Sequence, residues 1–238
     1  MNYQQLWSTP IGKVQIDLPE NIRKTLIQQV IFNYNRRKEA KERIPSFMDL
    51  FDYTQYVGDE KIDVFKAVYR FELIISKIIR SFVEQAWGMN EKAELAMHCT
   101  SKVQVPYDMR IEPHRHNNVD LTAVHYLTTG NEFHLDNCLG PNRLDSTLDE
   151  GPYLPNDYSG ELLLLDPRPC ITYPYNNKAK TIKPQNGLTV IHPGYVWHET
   201  HQHTQPGVRI ALVINVEISK ETKVHSSLKQ LINMRTLI

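Results

Sequence analysis

The sequence predicts an α+β protein that is mainly β, with supporting helices in its first part and a β-sandwich or jelly-roll core in its second. Two observations lead to this fold class. Two segments before residue 95 carry apolar residues at helical spacing. From about residue 96 onward, short apolar stretches alternate with turns that contain Gly, Pro, Asn and Asp. Helices that precede many short strands are typical of the α+β class.

The N-terminal part, residues 1–95, is predicted to hold one short strand and two helices. The stretch LWSTPIGKVQIDL is typical of a strand, with Pro10 near a sheet edge. A first helix is predicted after Pro19, because the apolar residues that follow are spaced to share one face; these are Ile22, Leu26, Ile27, Val30 and Ile31. A wider apolar face predicts a second helix over about 61–87, which ends at Gly88.

The predicted core covers residues 96–218, within a single domain that spans the whole chain. Its strands are predicted at AELAMHCTSKVQVPY, VDLTAVHYLTT, GELLLLD, GLTVIHPG and VRIALVINVEI. Residues 130–159 contain six Asp and Glu residues and no clear period, so a long loop over a site is expected there. Residues 219–238 form an apolar tail that would pack on its own domain or support a homodimer.

The overall charge excludes some functions. Lys and Arg number 27, and Asp and Glu also number 27, so the formal net charge is zero. A general nucleic-acid or membrane-surface binder would usually be basic. There is no stretch of about 18–20 apolar residues for a membrane span and no signal-like N-terminus, and the three cysteines are widely spaced. A cytoplasmic protein without a membrane partner is therefore expected.

A pair of histidines, His114 and His116, suggests one side of a metal site. Residues i and i+2 of a strand point to the same face, so both rings can approach one interior point. A third ligand must come from another strand. The candidates are His192, His198, His201 and His203. We favour His198, because the turn HPGYVWHE would present it at a strand end.

Arg209 begins an apolar strand, and a buried guanidinium requires an anionic partner. That partner is either an acidic residue of the protein or the carboxylate of a bound molecule. Arg209 follows His198 by eleven positions (209 minus 198). The two would thus lie on neighbouring strands, where one molecule could chelate the metal and also reach Arg209. 2-Oxoglutarate has this chemistry, with a 2-keto acid at one end and a carboxylate at the other.

Several stretches, in order, resemble the 2-oxoglutarate/Fe(II)-dependent oxygenase superfamily, whose fold is a double-stranded β-helix. They are VQVPYDMRIEPHRH, LTAVHYL, SGELLLLDPRP and NGLTVIHPGYVWHETHQHTQPGVRIALVINV. The opening LWSTPI and the DPR at 166–168 are similar to a narrower group of bacterial and phage oxygenases whose first motif is HxH rather than HxD. The superfamily resemblance covers about residues 100–218.

The resemblance implies His114 and His198 as ligands of Fe(II), Arg209 as the partner of the far carboxylate of 2-oxoglutarate, and Tyr107 as a further hydrogen-bond partner of that co-substrate. His116 occupies the position at which most members have Asp or Glu. We expect His116 to be the third ligand. Asp120 is the alternative, since it lies four residues further along and would share the same face of a straight strand.

The resemblance implies a dioxygenase that consumes O₂ and 2-oxoglutarate, hydroxylates a small-molecule or peptide substrate, and releases succinate and CO₂ in a bacterial or phage-infected cell. A different class of function remains open from the residues alone. A cupin-like metal protein would bind or sense a small anion without oxidation, and it tolerates three histidine ligands.

Overall fold

The structure is a computed structural model, and it describes residues 9–41, 48–49, 59–88, 93–106, 110–134, 158–167 and 179–219. Two helices, α1 (Glu20–Glu39) and α2 (Asp59–Trp87), accompany ten strands. The strands are β1 (Gly12–Gln15), β2 (Met48–Asp49), β3 (Glu94–Gln104), β4 (Ile111–His114), β5 (Leu121–His134), β6 (Leu162–Leu165), β7 (Ala179–Ile182), β8 (Leu188–Pro193), β9 (His198–Thr200) and β10 (Gly207–Ser219).

The strands form two antiparallel sheets. The larger sheet has the order β1-β8-β5-β10-β3-β2, and the smaller one has the order β4-β9-β6-β7. Strand β10 is central to the larger sheet, where it pairs with β3 along one side and β5 along the other. The non-sequential strand order is that of a jelly roll, so the predicted mainly β, α+β class is confirmed.

The two helices cover the outer face of the larger sheet. Helix α1 follows Pro19, which serves as its N-cap, and it carries an acidic residue in its first turn and basic residues in its last. Helix α2 ends at Gly88, whose φ of +62° is the left-handed conformation that commonly terminates helices. Both helices contribute to one apolar cluster with Leu121, Ile210 and Leu212 of the sheet. This cluster holds the sheet rigid behind the site described below.

A second apolar cluster lies between the two sheets. It joins Tyr126 and Ala211 of the larger sheet to Leu162 and Leu164 of the smaller one. Side chains alternate across each strand, so the residues of β10 that face this inner space are Arg209, Ala211, Val213 and Asn215. The larger sheet is therefore apolar on the helix side, and on the inner side it carries polar groups at both ends of an apolar patch.

The predicted core strands are present as β3, β5, β6, β8 and β10, whereas β2, β7 and β9 are strands that the sequence did not predict. Two details of the predictions also differ from the structure. Strand β5 continues to His134, four residues beyond the start of the loop predicted at 130–159. Strand β4 ends at His114, so His116 lies beyond it. The sequence predicted both histidines on one strand, and this prediction is wrong. Pro113 cannot donate a ladder hydrogen bond, and the pairing with β9 shifts register between Ile111 and His114. Residues 135–157 of the predicted loop and the tail from 220 lie outside the described residues.

Within the described ranges, no helix has the length and apolar character needed to cross a membrane.

Candidate metal centre

His114 and His198 are brought together by the pairing of β4 with β9. The two residues are direct partners in this antiparallel pair, and β9 is held on its other side by β6. The centroids of the two rings are 4.3 Å apart. The histidine of the HxH motif and the histidine of the HPGYVWHE turn thus meet at one end of the smaller sheet, and their role as metal ligands stays a prediction.

His116 completes the cluster from just beyond the end of β4. Its backbone N–H donates to the carbonyl of Gly194 at 3.0 Å, which ties this segment to the turn before β9. The His116 ring is stacked on the His198 ring, with centroids 5.2 Å apart and planes inclined by 4°. The ligand nitrogens of His114, His116 and His198 all lie within 4.8 Å of one another. An ion that contacts all three at about 2.0–2.1 Å needs these nitrogens within about 4.2 Å of one another, so it would draw the rings slightly closer together.

The hydrogen bonds of two of the rings select the tautomer that binds metal. Nδ1 of His114 lies 2.8 Å from the Glu112 carbonyl oxygen, and Nδ1 of His198 lies 3.0 Å from that of Val196. A carbonyl only accepts, so each Nδ1 carries the proton and each Nε2 has a lone pair. Nε2 of His116 is buried and has no hydrogen-bond partner among the described residues. A metal ion would satisfy this nitrogen.

The environment of two of these rings favours their neutral form. Burial lowers the pKa of His198 to about 3, with a smaller contribution from the neighbouring histidines. Burial also lowers the pKa of His116 to about 4, reinforced by the nearby His114. Neutral imidazole is the form that ligates a metal, so at neutral pH these ligands need not lose a proton before they bind.

Asp120, the alternative third ligand, is engaged elsewhere. Its Oδ2 accepts a hydrogen bond from the backbone N–H of Ile218 at 2.7 Å. Its backbone groups also bridge the turn, because its N–H donates to Val216 and its carbonyl accepts from Gly194. Asp120 is not part of the group of ligand atoms formed by the three histidines. In this arrangement its carboxylate ties the loop after β4 to β10.

Arg209 lies in the same cavity as the three histidines and is 2% exposed. Its guanidinium donates to Oε1 of Gln104, the residue opposite it on β3, and its Cζ lies 5.0 Å from the centre of the Tyr126 ring. Among the described residues it forms no ion pair with a carboxylate, and its Nε has no hydrogen-bond partner. Burial lowers the pKa of Arg209 from its ordinary value. The protein partner considered from the sequence is thus not found within the described ranges.

The cavity that joins these groups lies between the two sheets, and apolar atoms form most of its wall although several polar side chains reach it. It is lined by Lys102, Ile111, His114, His116, Val124, Leu162, His198, Thr200, Arg209, Ala211 and Val213. The histidines stand at one end of strand β10 and Arg209 at the other. A ligand that extends between them would contact Ala211 and Val213 along the way.

A second, more open cleft of about 370 Å³ begins on the other side of His116. Its wall is formed by aromatic and amide side chains, including Trp87, Tyr195, Asn117 and Asn118. Asn118 has a φ of +63°, a left-handed conformation that Asn adopts in turns more readily than most residues do. Arg115, which also lines the cleft, places its Cζ 5.7 Å from the centre of the exposed Trp197 ring.

Tyr107 lies outside the described residues, so its role stays a prediction. His125 is hydrogen bonded within the larger sheet, because its Nδ1 is 2.9 Å from the Thr189 hydroxyl. His192, one of the four candidates for the third ligand, has a buried Nε2 without a hydrogen-bond partner among the described residues. The sequence contains one indication that His192 faces the site. His192 lies two residues after Val190 on β8, so both side chains point to the inner face of the sheet.

The comparisons with known proteins concern the fold. The structure is similar to AviO1 from Streptomyces viridochromogenes Tue57, with 10% identity, coverage of 91% of this chain and 93% of that one, and a TM-score of 0.56. It is also similar to a prolyl-4-hydroxylase from Pseudomonas putida, with 14% identity, 88% and 93% coverage, and a TM-score of 0.48. No protein-family model and no curated protein matches the sequence.

A third similar structure is a prolyl hydroxylase from Trichoplax adhaerens in complex with a hypoxia inducible factor oxygen degradation domain peptide fragment, with 14% identity, 87% and 83% coverage, and a TM-score of 0.48. Of these three likenesses, that to AviO1 exceeds a TM-score of 0.5, and at 10% identity it shows the fold alone. The chain therefore has the double-stranded β-helix fold that its resemblance to the 2-oxoglutarate/Fe(II)-dependent oxygenase superfamily implied, with three histidines gathered where that resemblance places the metal ligands.

Proposed function

We propose that the protein is a 2-oxoglutarate- and Fe(II)-dependent dioxygenase that hydroxylates a small-molecule or peptide substrate. The observation that carries the proposal is the single cavity lined by the three histidines at one end and by Arg209 at the other. A metal site alone is common to many functions. A metal site that shares a cavity with a buried guanidinium fits a co-substrate that binds both.

The histidines fit Fe(II) as a set. They approach from β4, the segment after it and β9, so they occupy one side of an ion and leave the other side for exogenous ligands. Bound Fe(II) and 2-oxoglutarate would supply the oxidising chemistry, in which O₂ is consumed, succinate and CO₂ are released, and a C–H bond becomes C–OH. The protein contributes the ligands, the orientation of the co-substrate and a largely apolar enclosure.

Arg209 fits the far carboxylate of 2-oxoglutarate. A buried charge without a counter-charge is unfavourable, and a bidentate carboxylate is the partner that a guanidinium best accommodates. Gln104 holds one side of the guanidinium through its Oε1, which fixes the direction of the group. Ala211 and Val213 line the cavity between Arg209 and the histidines, so their side chains would contact the aliphatic chain of a co-substrate that reaches both ends.

The charge of the site also suits a dianion. Three neutral histidines leave Fe(II) with its two positive charges, whereas a carboxylate ligand would cancel one of them. 2-Oxoglutarate brings two negative charges, one to the metal and one to Arg209. We therefore expect 2-oxoglutarate to bind at least as tightly here as at a site with one carboxylate ligand, because oppositely charged groups attract strongly in a poorly solvated cavity.

The aromatic and amide cleft is the proposed route of the substrate to the metal. His116 lines both this cleft and the inner cavity, so a group held in the cleft lies next to the proposed metal position. Exposed aromatic side chains grouped at one place are typical of binding surfaces. Trp87, Tyr195 and Trp197 are between 36% and 50% exposed.

The proposal is tested by anaerobic binding of Fe(II) and 2-oxoglutarate, whose chelate gives a weak visible charge-transfer band. The wild-type protein should show this band, and His198→Ala should lose it. Arg209→Met should shift the 2-oxoglutarate titration to roughly 100-fold higher concentration. The matched probe is 2-oxopentanoate, which has the same chelating end and no far carboxylate, and both proteins should bind it with similar affinity.

Two results would reject the proposal. The first is the absence of the band in a protein shown to contain Fe(II). The second is an Arg209→Met variant that still prefers 2-oxoglutarate to 2-oxopentanoate as strongly as the wild type does. Formation of succinate in air without added substrate then tests turnover independently of substrate identity.

A further inference from the structure

A fourth imidazole, that of His192, lies against the candidate metal centre. His192 is fully buried, and its ring centroid is 4.7 Å from that of His198. It comes from β8 in the larger sheet, whereas His114 and His198 come from the smaller sheet and His116 follows it. Imidazole groups from both sheets thus lie side by side at the candidate metal centre.

The hydrogen bonding of His192 leaves one nitrogen as an unmatched acceptor. Its Nδ1 is 2.9 Å from the carbonyl oxygen of Pro193, which can only accept, so Nδ1 carries the proton. A second proton on Nε2 would create a buried cation beside three other imidazoles, without a carboxylate near it among the described residues. Nε2 is therefore a lone-pair acceptor, and it has no hydrogen-bond partner in the described part of the chain.

The neighbours of His192 do not satisfy this acceptor. Thr122 is its direct partner on β5, and Asn215 is the partner of Thr122 on β10, so the three residues form one row on the inner face. The Thr122 hydroxyl donates to Oδ1 of Asn215 at 3.3 Å and is thus directed away from His192. This row is polar, whereas the neighbouring part of the inner sheet face is apolar, and it lies next to the three histidines.

His192 is not a fourth member of the ligand group. The nitrogens of His114, His116 and His198 lie within 4.8 Å of one another, and the group does not include His192. Because the His192 ring packs on His198, its free nitrogen is a candidate to contact a small molecule bound at the metal. A lone-pair acceptor there would stabilise a bound ligand that donates a hydrogen bond, and it would not stabilise one without a proton to donate.

We propose that Nε2 of His192 accepts a hydrogen bond from the water molecule that binds at the metal centre, which makes His192 a positioning residue for the exchangeable coordination position. The inference rests on the proposed metal centre. If His192 has this role, the metal centre should discriminate among small ligands. Water, which donates, is favoured at this position over anions of similar size that cannot donate.

The test uses the full chain loaded with Co²⁺, whose visible spectrum reports the ligands of the ion, and azide as the competing ligand without a proton. Azide must displace the water that His192 holds. The variant His192→Phe lacks the acceptor, so it should bind azide roughly tenfold more tightly than the wild type, with Co²⁺ affinity unchanged. His192→Asn retains an acceptor oxygen and should return azide affinity toward the wild-type value.

A second buried histidine provides the control. His125 lies on the neighbouring strand β5 and packs on Phe71 on the helix side of the sheet. His125→Phe should leave azide affinity as in the wild type. If His192→Phe does not fold, His192→Met replaces it in the test. Met also lacks a comparable acceptor, so this variant too should bind azide roughly tenfold more tightly than the wild type.

The outcomes separate the two proposals. Failure of the wild type to bind Co²⁺ overturns the metal centre and this inference together. Co²⁺ binding with equal azide affinity in the wild type, His192→Phe and His192→Met overturns the role of His192 and leaves the metal centre intact. Loss of Co²⁺ binding in His192→Phe alone also overturns it, because His192 would then be needed by the ion itself.

Discussion

His114 and His198 face each other across the β4–β9 pair with ring centroids 4.3 Å apart, and each is anchored in the same way. In both, Nδ1 donates to the carbonyl oxygen of the residue two positions earlier, Glu112 for one and Val196 for the other. Both rings are therefore held by their own strand ends before any ion arrives. A pair of ligands oriented in advance loses little conformational freedom when metal binds.

The first prediction is that either anchored histidine is required for metal binding. His114→Ala and His198→Ala should each lower the affinity for Co²⁺ by roughly 100-fold or more, because one of three ligands is removed. Isothermal titration calorimetry of the metal-free protein provides the measurement. His201→Ala is the control, since this residue lies three positions after His198 and outside the ligand group. Equal losses in all three variants would contradict the assignment.

The second prediction concerns Gly160, whose φ is +64° and where an added Cβ would stand 2.9 Å from Cδ of Arg209. Gly160→Ala should displace the Arg209 side chain and weaken 2-oxoglutarate binding roughly tenfold, while Co²⁺ affinity is retained. The control is Gly88→Ala. Gly88 has a similar φ of +62° and no atom within 4 Å of the added Cβ, so it carries the backbone strain alone, about 1–2 kcal/mol. Similar 2-oxoglutarate affinities in the two variants would count against the proposed contact.

The larger part of this fold follows from local periodicity. Short apolar stretches between turn residues predicted the strands that became β3, β5, β6, β8 and β10, and helical spacing predicted α1 and α2. The choice of His198 among four histidines also followed from local sequence, because a strand-end turn presents its side chain. These features depend on residues close in the chain, which a single sequence displays directly.

The remaining features depend on pairing between distant segments. His116 lies beyond the end of β4, and the register shift within that strand is a property of β4 and β9 together. Gln104 as the partner of Arg209 and the position of His192 beside His198 likewise result from strand order. Periodicity gives the face of a residue, whereas its neighbours on that face depend on which strands pair.

The third prediction is a loss of stability of the metal-free protein in mild acid. Burial lowers the pKa of His125 to about 4, from 6.5 in an exposed histidine. As the pH falls below 6.5, the unfolded chain binds a proton that the folded protein does not bind until about pH 4. The free energy of unfolding therefore decreases across this window, by at most about 1.4 kcal/mol per pH unit for this residue.

Urea unfolding of the wild type and of His125→Phe between pH 7 and pH 4 measures this effect. The variant should show a shallower dependence on pH, since one of the buried histidines is removed. The dependence should not disappear, because burial lowers the pKa of His116, His192 and His198 in the same direction. Identical slopes in the two proteins would show that His125 is protonated equally in the folded and unfolded states.

The last prediction tests why a histidine stands at position 116. His116→Asp would give the site one carboxylate ligand and lower its charge by one unit. Fe(II) should then bind roughly tenfold more tightly, because the added negative charge attracts the cation. The dianion 2-oxoglutarate should bind the Fe(II)-loaded protein roughly tenfold more weakly, because the same charge repels it. Sequential anaerobic titrations with Fe(II) and 2-oxoglutarate measure the two affinities separately. His116→Asn, which removes the imidazole without adding charge, should weaken Fe(II) binding. If the Asp and Asn variants bind Fe(II) alike, residue 116 does not ligate the ion, and the site is held by His114 and His198 alone.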